Sequence, residues 1–542
     1  MKYKSSHHPL AFTIILLFFI FLSYSNCIHK EFMLDDYVNL IGNDSLNSVS
    51  VVDLFVKDFK GYYRPVTFAI LKGALSVFGQ NPVTFHLYNA AIFFAICWLF
   101  YLLLGKVTRR PDLAMLASLL YAVHPINNFF LNYKTASSLS INILCLQLGA
   151  LLFVQYLDTR KILFYAAAVL MYAVSLFAHE MNFLLPAYVF LIMYYFRDFN
   201  FKKDGRLFIP YLAAAVFYIL IRTGVTTAIK VPSVLSLGIP LSSYLATMAA
   251  LAGWYITKLI FPAHIIFIWD ERIMTGPAVI VCTLLFIFIL IGLIAVFLKG
   301  KKNSLTFGLI LFSTGLLPLA LAGFTYTNRF NTAIIEPHWF GFSSIGFFIV
   351  VASLCLSLKE FLPHRVGIFL IVLILVGSSV LTRAANNLWK DGQTYCRYWF
   401  EENSLNGTVW HCLAARYIET HDLGQEPGYY KSCREVSYLA GAYHGIGQAQ
   451  LAFDYYDLAL KINPQCVDAY YGLSLLYDQL EKMPEAELNL NKALTLDARY
   501  YPVYKLLLST FHNRGEKEDG RKIIKYLRDI EGGQINLRRD RS

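Results

Sequence analysis

The sequence predicts an all-α membrane protein, in which a polytopic helical bundle of about 11 crossings with added interfacial helices precedes a soluble solenoid of paired helices. Three observations predict this fold. The 542 residues are 57% hydrophobic and 15% charged, which excludes an ordinary soluble protein. Apolar runs long enough to cross a bilayer recur up to residue 381. Beyond that point charged residues reach soluble density and a helical repeat begins.

Twelve apolar segments are candidate membrane spans, since a spanning helix needs about 20 mostly apolar residues. The first has a basic start but lacks the small-x-small pattern of a cleaved signal peptide, so we expect an uncleaved helix. The candidates cover residues 10–27, 82–104, 113–130, 139–157, 163–177, 181–196, 207–227, 241–261, 279–298, 305–324, 340–358 and 366–381.

Basic residues indicate which loops are cytoplasmic, because cytoplasmic loops collect Lys and Arg. The formal net charge of +11 falls largely in such loops, so it indicates topology and not nucleic-acid binding. Three apolar segments separate the basic residues Arg206 and Lys299, yet both belong inside. The segment 241–261 is therefore predicted to be re-entrant or to lie on the outer surface. Eleven crossings remain, with a cytoplasmic N-terminus and an extracytoplasmic C-terminal region.

An acidic pair, Asp35 and Asp36, follows the first helix within F-M-L-D-D-Y-V-N-L at residues 32–40. A carboxylate in hydrocarbon costs roughly 2.5 kcal/mol or more, so both side chains must face water or a polar cavity. A solvated turn in which Asp36 caps a short helix is the alternative. Residues 66–79 of the same long loop are apolar but too short to span, which predicts an interfacial helix.

The predicted topology collects acids, imidazoles and amides on the outer face of the membrane. Charges left at helix ends for snorkelling would not segregate by chemical type in this way. The pattern predicts one shared site. The loops that meet there are the acidic pair, residues 124–137, the turn at His179 and Glu180, residues 270–272 and residues 328–338.

The C-terminal region repeats with a period of 34 residues, which is typical of tetratricopeptide repeats. Small residues recur where paired helices touch, and aromatic residues fill the space between them. We predict a repeat domain at 433–535, preceded by a linker and a degenerate first repeat at 384–432, with the membrane domain at 1–383. Such repeats form a concave groove that binds a peptide or a partner protein. The matched positions are Ala459 and Ala493; Ala452 and Ala486; Tyr443, Tyr477 and Phe511; and Val436, Tyr470 and Tyr504.

Nine cysteines occur without any C-x-x-C spacing, which excludes the usual zinc-ribbon and thioredoxin motifs. Four of them lie in the C-terminal region, at Cys396, Cys412, Cys433 and Cys466. In an oxidising compartment they permit one or two disulfides. Buried free thiols within helices are the open alternative.

The order of motifs resembles that of a known family. The chain has D-D at 35–36, Y-R-P at 63–65, F-H-L-Y-N at 85–89, H-P at 124–125, an acidic residue at 180 and C-terminal repeats. This order resembles the transmembrane tetratricopeptide-containing glycosyltransferases of the GT-C class, which include protein O-mannosyltransferases and bacterial relatives. The resemblance implies transfer of a sugar from a polyprenyl-phosphate carrier to an extracytoplasmic acceptor, expected to be a protein hydroxyl.

The resemblance also implies roles for single residues. It assigns the catalytic loop to Asp35 and Asp36 and the acid of a later turn to Glu180, with His179 in place of the family's lysine. Arg64, after Tyr63, matches the arginine of the Tyr-Arg-Pro motif. His86 and Asn89 match the pair on the second helix, and His124 begins the His-Pro motif. Asn386 and Trp389 resemble the family's link into the repeats.

Two departures from the family pattern concern charge. The acidic residue and arginine expected after the His-Pro motif fall near Phe129 and Ser137, which are uncharged. The family's later Glu-Arg motif appears here as Glu336 followed by Pro337 and His338. If the missing charges hold the donor phosphate in the family, this chain must use another cation. The candidates for phosphate binding are Arg64, Lys134, Arg272 and Arg329.

Sugar transfer needs a base, a cation for the leaving phosphate and an apolar groove for the lipid. Asp35 is the predicted general base, and Asp36 orients the loop, holds an acceptor amide or binds a metal. Displacement by a single base predicts inversion of configuration. Arg64 offers a bidentate match to phosphate, with an arginine snorkelling to headgroups as the alternative.

Purely structural roles stay open for two further candidates. Glu180 could merely cap a helix, and His124 could merely end one. The sequence requires no cofactor, and a divalent metal held by Asp36, Glu180 and a histidine is possible without support from ligand spacing. The rival functions are a glycan polymerase or ligase that acts on lipid-linked glycans, and a non-enzymatic scaffold whose repeats bind envelope proteins.

Overall fold

The computed structural model describes residues 8–33, 36, 40, 46–59, 62–133, 135, 137–225, 240–266, 269–272, 274, 277–317, 332–402, 433–445, 449–480 and 482–497. The chain divides into two compact units, Met1–Tyr395 and Cys396–Ser542, whereas the sequence placed the end of the membrane domain at residue 383. Nearly all regular structure is helical. Its helices are α1 (His8–Tyr24), α2 (Val51–Val56), α3 (Pro65–Phe78), α4 (Pro82–Thr108), α5 (Pro111–Val123), α6 (Phe129–Asn132), α7 (Ser137–Thr159), α8 (Ile162–Ala178), α9 (Leu185–Phe196), α10 (Phe201–Asp204), α11 (Ile209–Val225), α12 (Leu241–Ile260), α13 (Ala278–Lys299), α14 (Ser304–Gly315), α15 (Gly341–Glu360), α16 (His364–Asn386), α17 (Gly392–Glu402), α18 (Cys433–Gly445), α19 (Ala449–Ile462), α20 (Val467–Gln479) and α21 (Met483–Leu496).

Several helices of the first unit are long and apolar enough to span a membrane. Among the described residues there are seven, or eight if a bent pair counts as one span. The predicted number of eleven crossings is therefore not confirmed. The seven candidate spans are Pro9–Cys27, Pro82–Thr108, Leu139–Thr159, Phe201–Val225, Ala278–Lys299, Gly341–Glu360 and His364–Trp389.

The difference in number arises where predicted spans are interrupted. The segment 113–130 contains Pro125, and the helices on its two sides meet at 62° because proline cannot continue a helix. The segments 163–177, 181–196 and 305–324 contain α8, α9 and α14, which are shorter than a full span. α12 is also absent from the candidate spans in the described part of the chain.

α4 illustrates how the sequence fixes a long helix. The Asn81 side chain accepts a hydrogen bond from the Val83 N–H at 2.9 Å, and Pro82 occupies the first helical turn, both of which are favourable at a helix start. The helix runs for 27 residues, about 40 Å at 1.5 Å per residue, and ends at Arg109 in the left-handed region with φ of 58°.

α14 and α15 pack closely because small residues lie at their contact, as is common between membrane helices. A Cβ placed on Gly346 would lie 2.6 Å from the Gly308 carbonyl oxygen. One placed on Gly315 would lie 2.6 Å from the Ser343 Cα. The Ser343 hydroxyl donates to the Phe312 carbonyl at 2.9 Å, so the two backbones are in near contact.

The predicted interfacial helix at 66–79 corresponds to α3, which has 14 residues. Its buried residues include Phe68 and Leu71, which pack in one cluster with Phe32 and Leu40 from the loop after α1. Gly79 ends the helix with φ of +62°, a conformation that favours glycine. α3 therefore packs against Phe32 and Leu40, which flank the acidic pair in the chain.

α12 contacts the start of α13 and the segment that precedes it. The Thr283 hydroxyl, early in α13, donates to the Ser242 carbonyl at 3.1 Å, and Trp254 stacks on Trp269 with ring centroids 5.2 Å apart. Trp269 begins β1 (Trp269–Arg272), which pairs antiparallel with β2 (Thr332–Ile335). This ribbon joins two of the loops that the sequence placed at one site.

The second unit contains two successive helical pairs, α18 with α19 and α20 with α21. The alanines predicted at the helix contacts, Ala452, Ala459, Ala486 and Ala493, are buried. The close approach is tightest at Gly472, where an added Cβ would lie 2.3 Å from the Tyr456 ring.

A disulfide joins Cys433 to Cys466, with the two Cα atoms 6.1 Å apart. Cys396 is also disulfide-bonded, and Cys412 lies outside the described residues. The predicted degenerate repeat around residue 410, together with Tyr504 and Phe511, lies outside them as well. The described cysteines that are not in a disulfide are Cys27, Cys97, Cys145, Cys282 and Cys355, all in the first unit.

Candidate functional site

A two-pronged ion pair joins Arg64 to Glu180, which are 116 residues apart in the chain. The Arg64 Nε donates to Glu180 Oε2 at 3.0 Å and Nη2 donates to Oε1 at 2.7 Å. Parallel bonds of this kind are the strongest arginine–carboxylate geometry. Arg64 is the residue immediately before α3. Just ahead of it in the chain, Phe59 and Tyr62 form a short antiparallel backbone bridge. Its guanidinium also lies 4.8 Å from the Tyr62 ring centroid, in range of a cation–π contact.

Glu180 is presented by the break between α8 and the 3-10 turn at Glu180–Leu184. His179 is extended there, and its Nδ1 accepts a hydrogen bond from the Met181 N–H at 3.2 Å, which caps the turn. The same His179 atom is 3.7 Å from Glu180 Oε2. The Thr67 hydroxyl donates to the Ala178 carbonyl at 2.8 Å, so the first turn of α3 is fastened to the end of α8.

A second arginine, Arg222 near the end of α11, completes this cluster. Its Nη1 lies 3.9 Å from Glu180 Oε2 and 3.2 Å from the Tyr218 hydroxyl. Arg222 was not among the predicted site residues because it lies inside a predicted span. A signal was present, since an ionisable residue within an apolar helix marks a functional site by default. We call Arg64, His179, Glu180, Tyr218 and Arg222 the arginine cluster.

The charges of the arginine cluster determine the ionisation of Glu180. Burial favours the neutral acid, but the charges of Arg64, His179 and Arg222 and the hydrogen bonds from Arg64 outweigh it, so the pKa of Glu180 lies well below its usual value. Two guanidinium groups thus share one carboxylate.

Asp36 is fully buried and anchors the loop after α1. Its Oδ2 accepts from the Met33 N–H at 3.1 Å, and its Oδ1 accepts from the Thr135 N–H at 2.7 Å. The carboxylate therefore closes its own turn and ties it to the segment before α7. This geometry fits the orienting role among the options raised for Asp36. Asp35 lies outside the described residues.

The pair predicted on the second membrane helix lies beside this anchor. His86 and Asn89 are buried on α4, and Asn89 Nδ2 donates to the Tyr133 carbonyl at 3.3 Å. Phe85, next to His86, contacts Phe32 edge to face at 5.9 Å between ring centroids. Tyr133 therefore contacts α4, and Thr135 contacts the loop that carries Asp36.

His124 uses both ring nitrogens in contacts with the backbone. Nδ1 accepts from the Ile126 N–H at 3.1 Å, and Nε2 lies 3.1 Å from the Leu259 carbonyl at the end of α12. The first contact makes Nε2 the protonated nitrogen.

Tyr63 packs against the arginine cluster. Its hydroxyl donates to the Phe55 carbonyl at 3.0 Å, and its ring stacks on Tyr218 with ring centroids 6.5 Å apart.

The remaining predicted site residues are described less fully. Glu336 precedes the 3-10 turn at Pro337–Phe340, and its carbonyl accepts from the Trp339 N–H at 2.9 Å. Arg272 pairs with Thr332 in the ribbon, and His338 lies in the turn, but only their backbone is described. Lys134 and Arg329 lie outside the described residues. Among the described side chains, no group of three or more His, Cys, Asp or Glu residues is placed to hold a metal ion.

A network of amides at the end of α16 was not foreseen as a unit. Asn132 Nδ2 donates to Asn386 Oδ1 at 2.8 Å, and Asn386 Nδ2 donates to the Ser23 carbonyl at 2.9 Å. The buried Lys30 ammonium donates to Asn132 Oδ1 at 3.1 Å and to the Asn386 carbonyl. The network joins the ends of α1, α6 and α16, and Trp389 is buried just beyond it.

Comparison with known proteins identifies one region. A tetratricopeptide repeat model matches residues 467–500, which include α20 and α21, so the predicted repeat is confirmed there. Repeats of this kind generally mediate protein–protein interaction. No curated protein and no solved structure matches the chain significantly.

Proposed function

We propose that the protein is an integral membrane glycosyltransferase of the GT-C type. It moves a sugar from a polyprenyl-phosphate carrier to an extracytoplasmic acceptor, a protein hydroxyl. The observation that carries the proposal is the ion pair between Arg64 and Glu180. The motif order assigns both residues to one site although 116 residues separate them.

The surroundings of Asp36 support the same site. Asp36 fixes the loop against Thr135, and Phe32 and Leu40 on either side of it pack against Phe68 of α3, the helix that begins after Arg64. Asp35, next to this anchor, is the general base that takes the acceptor proton as the acceptor oxygen attacks the anomeric carbon. The bond from that carbon to the phosphate oxygen breaks, and polyprenyl phosphate leaves.

Two observations support an outer site. The ribbon of β1 and β2 brings together two of the loops assigned to the outer face. The disulfide between Cys433 and Cys466 belongs in an oxidising compartment, which supports extracytoplasmic repeats, periplasmic or lumenal. In this arrangement the repeats recruit the acceptor protein.

The test is glycan mass spectrometry of envelope or lumenal protein fractions from cells that carry the intact chain, Asp35→Asn, Asp53→Asn or no chain. Asp53 is the matched control because it lies in the same loop but is exposed beside Ser50 and Lys57. We expect Asp35→Asn to match the deletion and Asp53→Asn to match the intact chain at equal protein levels. Glycans that are unchanged in Asp35→Asn would contradict the proposal.

The repeat match favours a second candidate, a membrane-anchored scaffold that binds partners through its repeats. In that case Asp35→Asn behaves as the intact chain, whereas removal of residues 433–535 reproduces the full deletion. An enzyme predicts the opposite for Asp35→Asn. The polymerase or ligase alternative is distinguished by glycans that change on lipid carriers but not on proteins.

A further inference from the structure

Contacts between α4, α7, α9 and α13 define one end of the first unit, where basic side chains gather. Lys106 near the end of α4 lies 3.2 Å from the Asp158 carboxylate near the end of α7, and Arg197, just after α9, lies 3.4 Å from the same carboxylate. The Tyr194 hydroxyl near the end of α9 donates to the Phe297 carbonyl near the end of α13 at 3.3 Å. Four helices therefore end together, and we call this region the basic end.

The two ends of α12 are fastened to α5 and α13 at a distance from the basic end. The Leu259 carbonyl lies 3.1 Å from His124 Nε2 at the end of α5. α5 begins directly after α4 ends, and its 13 residues place His124 about 20 Å from the basic end at 1.5 Å per residue. At the other end of α12 the Ser242 carbonyl accepts from the Thr283 hydroxyl at 3.1 Å. Thr283 is also about 20 Å from Phe297 along α13.

The position of its two ends shows the direction in which α12 runs. A helix that spans a bilayer has its ends at opposite faces, whereas both ends of α12 lie about 20 Å from the basic end. Its 20 residues, about 30 Å in length, therefore extend across the unit and not along it. If the basic end lies among the headgroups, about 30 Å of hydrocarbon places α12 about 10 Å below the opposite boundary.

One face of α12 is exposed and carries no charge. Ser242, Gly253 and Ile260 are exposed, and a helix with 3.6 residues per turn brings these three positions onto one face. The other face packs into the unit, where the buried Tyr255 donates its hydroxyl to the Phe340 carbonyl at 3.2 Å. α12 is therefore anchored on one side and open on the other.

The flank of α12 has the groups typical of a membrane interface. Trp254 stacks on Trp269 with ring centroids 5.2 Å apart. Lys258, the only charged residue of α12, lies 5.8 Å from the Trp254 ring centroid and donates to the Ala263 carbonyl at 2.8 Å. Trp is enriched where hydrocarbon meets headgroups, and Lys extends its ammonium to that level. The neighbouring α13 has only 6% of its apolar window buried, so a surface suited to lipid continues from α13 to α12.

We propose that α12 is an in-plane membrane helix whose exposed face contacts lipid acyl chains. The lipid belongs to the half of the bilayer remote from the basic end, which the predicted topology makes the outer half. His124 then lies at the same depth, because it contacts Leu259. The His-Pro turn is thus held below the headgroups. This proposal does not depend on the proposed function.

Depth measurements on the full chain in liposomes test the proposal. A nitroxide on a genetically encoded amino acid is placed at Ser242, Gly253 or Ile260, where an added Cβ at Gly253 meets nothing within 4 Å. Collisions with oxygen, which concentrates in hydrocarbon, are compared with collisions with a water-soluble nickel chelate. The controls are Phe288, exposed on α13, and Lys57, whose side chain is 73% exposed beside Asp53. Thermal unfolding reports whether each labelled protein is folded.

We expect oxygen collisions to exceed those of the nickel chelate several times at all three positions of α12, at one common depth shallower than that of Phe288. The nickel chelate should be favoured at Lys57. A spanning α12 would put Gly253 near the bilayer centre and Ser242 and Ile260 near opposite boundaries, and this result would overturn the proposal. Preference for the nickel chelate along α12 would also overturn it, as would exclusion of both reagents by a covering protein or second copy.

Discussion

Glu180 is the residue on which the arginine cluster depends. It holds Arg64 with two bonds and also lies beside Arg222 and His179. We expect Glu180→Gln to destabilise the protein by about 1–3 kcal/mol, because the half-buried Arg64 loses its carboxylate. Addition of Arg64→Gln should cost less than the sum of the two single changes, since the partners interact.

Thermal unfolding in detergent measures these changes. The control is Asp112→Asn, which removes the carboxylate of the exposed pair with Arg110 and should change stability by less than about 0.5 kcal/mol. Strictly additive effects of the two changes at Arg64 and Glu180 would contradict the assigned pair.

The depressed pKa of Glu180 predicts how its contribution depends on pH. The folded-state pKa is below that of the unfolded chain, about 4.3, so the stabilisation is complete above that value and declines as pH falls toward the folded pKa. The difference in Tm between the intact protein and Glu180→Gln should stay constant from about pH 6 to pH 8. A difference that vanishes as the pH falls from 7 to 6 would refute this assignment.

The sequence predicted part of this residue-scale picture. It named Arg64 and Glu180 from their motifs, but it took Arg64 as a phosphate ligand without the ion pair. It missed Arg222, because a single arginine near the end of an apolar helix is expected to extend its side chain to the lipid headgroups. Only the folded structure shows that Arg222 lies beside Glu180. The contact between Asp36 and Thr135 joins distant segments, which local patterns cannot specify.

At the scale of elements, the crossing of α14 and α15 requires a glycine. A Cβ on Gly346 would lie 2.4 Å from the Phe312 backbone nitrogen, so Gly346→Ala must push the helices apart and should cost about 1–3 kcal/mol. Gly377→Ala on α16 is the matched control, because nothing lies within 4 Å of its added methyl. Thermal unfolding should show a loss for the first variant alone, and equal Tm values would refute the close crossing.

The repeat helices make a similar prediction. Gly472→Ala directs a methyl group to within 2.3 Å of the Tyr456 ring and should destabilise the second unit by about 1–3 kcal/mol. Gly441→Ala, whose methyl would lie 3.5 Å from the Tyr456 hydroxyl, should be neutral or slightly stabilising because alanine favours helix. Limited proteolysis of the full chain measures both. Resistance of Gly472→Ala equal to that of Gly441→Ala would show that α19 and α20 are less tightly packed.

The composition of the apolar segments correctly predicted which parts of the chain are helical, but it did not predict how long each helix is. Apolar runs located α1, α4, α7, α13, α15 and α16 correctly. Hydropathy could not show that His124 caps a turn at Pro125 and that the chain bends there by 62°. The separate segments 163–177 and 181–196 did place a break at His179 and Glu180, but they could not show that His179 Nδ1 caps the turn by accepting from the Met181 N–H. These breaks depend on proline and capping contacts, and they place polar residues at the helix ends.

At the scale of the whole molecule, the chain combines a helical unit containing candidate membrane spans with a second unit containing a matched tetratricopeptide repeat. The sequence left open whether the four cysteines of the C-terminal region form one disulfide, two disulfides or none. Equivalent positions in stacked repeats lie side by side, and Cys433 and Cys466 are 33 residues apart, close to one period. The pairing of Cys433 with Cys466 is therefore consistent with the stacking of successive repeats, which the sequence analysis did not use to choose among the cysteines.

The central claim is that this chain consumes a polyprenyl-phosphate sugar, and donor turnover by the purified full-length protein in liposomes tests it most directly. A panel of such donors is supplied with peptides rich in serine and threonine, and release of polyprenyl phosphate is measured. We predict release from at least one donor by the intact protein and by Asp53→Asn, but not by Asp35→Asn. Release by Asp35→Asn at the intact rate, or no release by folded protein that binds polyprenyl phosphate, would contradict the claim.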